Sequence, residues 1–99
     1  MNIRITRNAA KVLLAEINNE ENKGLKVRVG IGHVHGDHAH YTIGLDDQNE
    51  NDIVVTERDI EVLLDKNEPL LDGVKIDYLY GPEEGFVITN ASKGNHGDH

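Results

Sequence analysis

The residues best suited to chemistry in this 99-residue chain are its six histidines, and they are not scattered. Four fall within His33-Val34-His35-Gly36-Asp37-His38-Ala39-His40, and His96 and His99 stand at the C-terminal end. The string His-Gly-Asp-His occurs twice, at 35–38 and at 96–99. A neutral imidazole is a good ligand for Zn, Fe, Ni or Cu, and a metal site needs several such donors converging on one point. On an extended segment His33 and His35 fall on the same side, so both could reach one ion. Asp37 and Asp98 could ligate directly or orient a neighbouring imidazole. The plain alternative is a solvated His-rich loop and an incidental terminus. Clustering at two places favours the metal reading, with His33, His35, His38, His96 and His99 as candidate ligands.

The segment 33–38 also fits H-x-H-x-D-H, and so resembles the signature of metallo-β-lactamase-type dinuclear hydrolases. That fold needs about twice this length and further ligands on later strands. No histidine lies between His40 and His96, and a helix-first layout is wrong for it. The match is read as convergence on a spacing that suits metals.

The elements that must position these residues belong to one small domain. Ninety-nine residues close a single core, and an apolar content of 37 % makes that core lean, so oligomerisation is a reasonable expectation. Eighteen acidic residues against ten basic ones give a formal charge of −8. Without a Lys/Arg cluster, neither a nucleic-acid backbone nor an anionic membrane is expected as partner. No apolar run could serve as a signal peptide or membrane span, so a cytoplasmic protein is expected. The absence of cysteine excludes disulfides, thiolate-held zinc and any iron–sulfur cluster ligated by cysteines of this chain alone.

Residues 2–6 alternate apolar and polar as a short strand, and Thr6 can cap a helix over roughly 7–20. Ala9, Leu13 and Ile17, with Ala10 and Leu14 alongside, form its apolar stripe. Asn18, Asn19 and Gly24 mark its end. Period-2 patterns predict strands at Leu25–Ile31, Tyr41–Leu45, Ile53–Val55, Ile60–Leu64, Val74–Tyr78 and Phe86–Ile88. Asp46–Asp52 reads as a polar turn and Glu57–Asp59 as a tighter one, while Lys66–Asp72 suits one or two helical turns stopped by Gly73. The class is α+β, mainly β, with one N-terminal helix and six or seven short, mostly antiparallel strands.

Taken in order, these segments resemble one family. Ile3-Arg4-Ile5-Thr6 before Ala9-Ala10 looks like the opening of HesB/IscA-type proteins, the A-type iron–sulfur carriers. Gly24–Val29 resembles that family's GLRLRV, Asp52–Val55 its EDIVF, and Ile60–Asp65 its VKVVVD. Leu70–Tyr78 is close to FLDGVxIDY, and Gly85–Asn90 to GFxFxNP with Ala91 in the place of Pro. The resemblance implies a single HesB-like domain over 1–99, with 91–99 as a flexible His-containing tail. It also implies a role in iron–sulfur cluster biogenesis rather than catalysis, a homo-oligomer (dimer or tetramer), and iron–sulfur or metal-homeostasis proteins as partners. The departure is chemical. Ungapped alignment from Gly24 places the family's loop cysteine on Val34, between His33 and His35. From Asn90 it places the C-G-C cysteines on Gly97 and His99, beside His96. In the family these two segments approach each other, which implies that 33–40 and 96–99 can meet.

Three functions compete on these grounds. The first is a HesB-like accessory protein binding a metal ion, iron or zinc, through histidines. The second is a small metalloenzyme whose three His leave an open position for water, for which no general base stands out. The third is a binding or structural domain that keeps the fold without the metal.

Overall fold

The computed structural model describes residues 1–35 and 38–91, and at 33–35 and 38 it describes the backbone alone. Strand β1 (Arg4–Ile5) leads into helix α1 (Arg7–Ile17), and the strands β2 (Lys26–His35), β3 (His38–Asp46), β4 (Asp52–Glu57), β5 (Ile60–Asp65), β6 (Lys75–Leu79) and β7 (Gly85–Thr89) follow. Short 3-10 turns lie at Glu20–Asn22 and Pro69–Leu71. Two sheets result, in the orders β1-β6-β7 and β3-β2-β5-β4. The pairs β1–β6 and β2–β5 are parallel and the remaining pairs antiparallel. This is the α+β, mainly β class that the sequence predicts.

The helix starts where the sequence places its cap. Thr6 is extended, and its hydroxyl oxygen accepts from the Ala9 amide at 3.2 Å, satisfying one of the orphan donors of the first turn. The same hydroxyl donates to Asp77 Oδ1 at 2.7 Å, so the cap also binds the helix to β6. The helix ends at Ile17 rather than near residue 20, because Asn18 and Asn19 close it and a 3-10 turn takes over. Its stripe behaves as expected: Ala9, Ala10 and Leu13 are buried, with Leu14 and Ile17 partly so.

Those side chains meet Val27 and Val29 of β2, Ile60, Val62 and Leu64 of β5, Leu71, Val74 and Ile76 in one core shared by both sheets. β5 lies between β2 and β4, with Ile60, Val62 and Leu64 in the core and Glu61 and Asp65 exposed on the other face, where Leu63 alone is as inaccessible as its core-facing neighbours. In register, Leu63 stands between Arg28 of β2 and Val54 of β4. Arg28 reaches beyond it: Nη1 and Nη2 each donate to an Asp52 carboxylate oxygen at 2.7 Å, Nε donates to Asp46 Oδ2 at 2.8 Å, and Nη2 to the Asp47 carbonyl at 3.1 Å. The guanidinium therefore crosses above β5 and ties β2 to the β3–β4 loop and to β4. The Asp52 side chain is 1 % exposed and that of Arg28 23 %.

Two strand ends differ from the sequence expectation. β2 runs four residues past Ile31, and β3 begins three before Tyr41, so the expected His-rich loop is backbone of a hairpin as far as His35 and from His38. The apolar alternation stops at Ile31, but the ladder of backbone hydrogen bonds does not. The turn between β4 and β5 also narrows to Arg58 and Asp59, both at positive φ (50° and 64°), where Asn-Gly is the usual solution. Arg58 Nε donates to the Ile5 carbonyl at 2.6 Å and ties that turn to β1. The tail expected over 91–99 falls, from residue 92, outside the described residues.

Removing the Arg28 guanidinium leaves a buried carboxylate without its partner. Arg28→Met is expected to lower stability by about 2–4 kcal/mol, measured by urea unfolding, with Asp52→Asn in the same background recovering part of the loss. Acid should act on the same bonds. The Arg28 hydrogen bonds hold the Asp52 carboxyl below its ordinary 3.8, and the Thr6 hydroxyl does so for Asp77. Both depressed groups contribute stability that is present above the unfolded-state value and is lost as pH falls through the lower folded values. Unfolding free energy should therefore be flat with respect to these two groups above about pH 5 and fall below about pH 4. In the Asp52→Asn protein that acid slope should be shallower.

Candidate functional site

The hairpin of β2 and β3 carries the candidate residues, and its register decides which of them share a face. Cα partners run Val27–Leu45, Val29–Ile43 and Ile31–Tyr41, all facing the core, and then jump to His33–His40, Val34–Ala39 and His35–His38. Gly32 has no partner, and the ladder shifts by one residue there. In an unshifted ladder His33 would stand opposite Ala39, and His35 opposite Asp37. The inserted residue instead lines up the odd-numbered histidines of β2 with the even-numbered ones of β3. Four positions, 33 and 40 then 35 and 38, form two consecutive opposed pairs on one face of the ribbon.

The glycines beside the bulge sit at points of close approach. A Cβ at Gly32 would lie 2.7 Å from Thr42 Cγ2, and one at Gly30 would lie 3.2 Å from Thr42 Oγ1. Thr42 occupies the face that these glycines leave bare, next to His40, which is exposed. The backbone of the candidate residues His33, His35 and His38 thus comes together, while Asp37, His96, Asp98 and His99 lie outside the described residues. Among the described residues no group of three or more His, Asp or Glu side chains is arranged to hold a metal. The Asp46–Asp52 pair of carboxylates is taken up by Arg28.

The other candidate segment begins at a fixed point. Asn90 is fully buried, and its Nδ2 donates to the Leu70 carbonyl at 3.0 Å and the Asp72 carbonyl at 2.7 Å. The Tyr41 hydroxyl donates to that same Leu70 carbonyl at 3.0 Å. Burial pushes the Tyr41 phenol above its ordinary 10.0, with Asn90 acting in the opposite sense, so it remains a neutral donor. One carbonyl oxygen therefore joins the root of the tail to β3, one residue from His40. His96 is six residues beyond Asn90, a chain reach of up to about 20 Å, and His38 is three residues along β3 from Tyr41, about 10 Å. The tail is long enough to meet the hairpin of its own chain.

Three residues of this region carry no clear mark in the sequence. His40 belongs to the cluster but not to the five candidate ligands, since only the bulge puts it on the face of His33. Asn90 enters only as part of a motif, and Tyr41 has the pattern of an ordinary strand residue. A polar side chain closing an apolar strand just before a polar tail is the one available signal for Asn90.

No protein-family model matches the chain. The iron-binding protein IscA of Serratia proteamaculans is 33 % identical to it over 93 residues, covering 91 % of this chain and 86 % of that protein. The crystal structure of Escherichia coli SufA, involved in biosynthesis of iron–sulfur clusters, superposes with a TM-score of 0.73 at 16 % identity, over 90 % of this chain and 80 % of the other. A crystal structure of IscA with the 2Fe–2S cluster gives 0.72, also at 16 % identity, over 91 % and 86 %. The two structures share the fold.

The Asn90 network makes a direct prediction. Asn90→Ala leaves the Leu70 and Asp72 carbonyls without that donor, and is expected to cost about 2–3 kcal/mol in urea unfolding. Tyr41→Phe keeps Asn90 on the same carbonyl and should cost about 1 kcal/mol.

Proposed function

The chain belongs to the HesB/IscA family of A-type iron–sulfur proteins, and from that membership we propose that it is an accessory protein of iron–sulfur cluster biogenesis that binds a metal ion through histidines. The ligands are His33, His35, His38, His96 and His99, and the ion is iron or zinc. The observation that supports this most is the register of the hairpin: the bulge at Gly32 assembles a histidine-bearing face next to the position where the family carries its loop cysteine. The root of the tail, clamped one residue from His40 through Leu70, supports a contribution from His96 and His99.

The donor set fits a single ion and not a cysteine-held cluster. The chain has no thiolate, and imidazole is a poor host for a sulfide-bridged centre. The protein acts as a carrier or metal donor rather than an enzyme, in the cytoplasm, as a homo-oligomer that meets iron–sulfur or metal-homeostasis proteins. Among the described residues no helix is long and apolar enough to cross a membrane.

Metal analysis of protein purified without a tag, beside a copy with all six histidines changed to Ala, tests the reading. Iron or zinc should be present in the first and absent from the second; equal content in both would overturn it. Deleting residues 95–99 should weaken binding at least tenfold and leave the unfolding curve unchanged. Imidazoles must be neutral to ligate, and their ordinary value is about 6.5, so metal should be released between about pH 7 and 5. Retention at pH 5 would assign the site to carboxylates.

A further inference from the structure

We infer that the cleft beside β1, the outer strand of its sheet, is an anion-binding site, and that its ligand is a small molecule carrying two or more phosphate or carboxylate groups. The site stands apart from the metal-binding reading, since none of its residues belongs to the hairpin of β2 and β3. The cleft, of about 660 Å³, is lined by Arg4, Arg58 and Lys75 and by one carboxylate, Glu57. Three of the ten basic residues of a chain of formal charge −8 thus gather in one depression. Arg4 and Lys75 are partners in the parallel register of β1 and β6, and both are exposed. Like charges set side by side on a sheet are unfavourable unless an anion relieves them. Among the described residues neither forms an ion pair. Lys75 acts on the Asp77 carboxylate only at longer range, and that carboxylate is already bonded to the Thr6 hydroxyl and the Tyr78 amide.

The backbone adds donors. The Arg4 and Thr6 amides donate to the Val74 and Ile76 carbonyls at 2.9 Å, so by the alternation of a strand the Ile3 and Ile5 amides face away from β6, on the side of the cleft. Arg58 reaches this edge from the turn between β4 and β5. Its Nε donates to the Ile5 carbonyl at 2.6 Å, which fixes the guanidinium beside the strand and leaves both Nη groups without a partner among the described residues. The turn that carries it takes positive φ at Arg58 and Asp59, a conformation that residues with side chains rarely adopt and that recurs at ligand clamps. A fork of N–H donors held in place suits phosphate or carboxylate, which it binds with paired bonds. An acidic peptide adding as a further strand fits less well, because Arg58 already takes the Ile5 carbonyl that such a strand would pair with. The volume is that of a small-molecule site.

The test titrates the full-length chain at low ionic strength with pyrophosphate and, in a separate arm, with citrate, followed by calorimetry and by backbone amide NMR. Saturable binding of at least one is expected, with shifts centred on Ile3, Ile5, Arg58 and Gly73, and the arm that responds tells phosphate from carboxylate. Arg4→Gln/Lys75→Gln leaves the Arg58 bond to Ile5 in place and should weaken binding at least tenfold. Arg58→Lys keeps the charge, loses the fork and should weaken it as well, while Glu57→Gln should tighten it. Lys11→Gln/Lys23→Gln removes the same charge from exposed positions elsewhere and should change binding less than twofold. Unfolding curves verify that the variants fold, which the exposure of Arg4 and Lys75 favours. Binding of neither anion, equal loss in the two double variants, or shifts confined to the hairpin overturns the site. Binding of an acidic peptide alone overturns the small-molecule ligand in favour of a protein partner.

Discussion

Burial of the Asp52 carboxylate governs much of this molecule. A carboxylate taken almost fully out of water is tolerable only with a cation held in good geometry, and Arg28 supplies two hydrogen bonds of 2.7 Å to it. To do so the side chain must extend from β2 across the position of Leu63, and in passing it picks up Asp46 and the Asp47 carbonyl. The pair thereby fixes the order β3-β2-β5-β4 from its outer face while the valines and leucines fix it from within. A buried pair of this kind adds little net stability compared with an apolar substitute, but breaking it is costly. The histidine-bearing hairpin is an extension of β2 and β3 beyond this clamp. Its register is inherited from a strand held by β3, by β5 and by Arg28.

Features that depend on near neighbours along the chain are legible in the amino-acid sequence. The stripe from Ala9 to Ile17, the Thr6 cap and the alternation in β2, β5 and β6 are local consequences of the 3.6 and 2.0 periods. Gly73 marks the end of the turn at Pro69–Leu71 for the same reason, having a positive φ of 94°. The bulge is not legible, because Val29, Ile31, His33 and His35 form one unbroken alternation. Only the partner strand reveals that the parity changes at Gly32, which sets position 33 opposite position 40. The Arg28–Asp52 pair spans 24 residues and the Asn90–Leu70 bond spans 20, distances at which composition and period carry no information. The helix is shorter than its polar and apolar pattern suggests, because Glu20 to Asn22 continues the polar face as a 3-10 turn.

Replacing thiolates by imidazoles alters more than ligand identity. Each thiolate brings a negative charge that offsets the metal and any sulfide, whereas imidazole is neutral and leaves the full charge of the ion in place. This chain carries eighteen acidic residues against ten basic ones, so a cation bound by neutral imidazoles would sit in an acidic protein. On the proposed reading, a site of imidazoles would hold its ion in competition with protons, unlike a cluster held by thiolates. The fold is shared with SufA and IscA structures, and a shared fold does not by itself fix the chemistry of a site.

The bond from Asn90 to the Leu70 carbonyl also has a kinetic and entropic side. Anchoring one end of a short polar segment confines its far end to a small volume, so under the proposed function the imidazoles of residues 96 and 99 would be offered to the hairpin at an effective concentration on the order of millimolar. Donors too weak to capture an ion in free solution become competent when they are resupplied faster than the ion can diffuse away. A tether of fixed length also makes such capture independent of how much protein is present. On that reading the buried amide of Asn90 would set the local supply of donors at the hairpin.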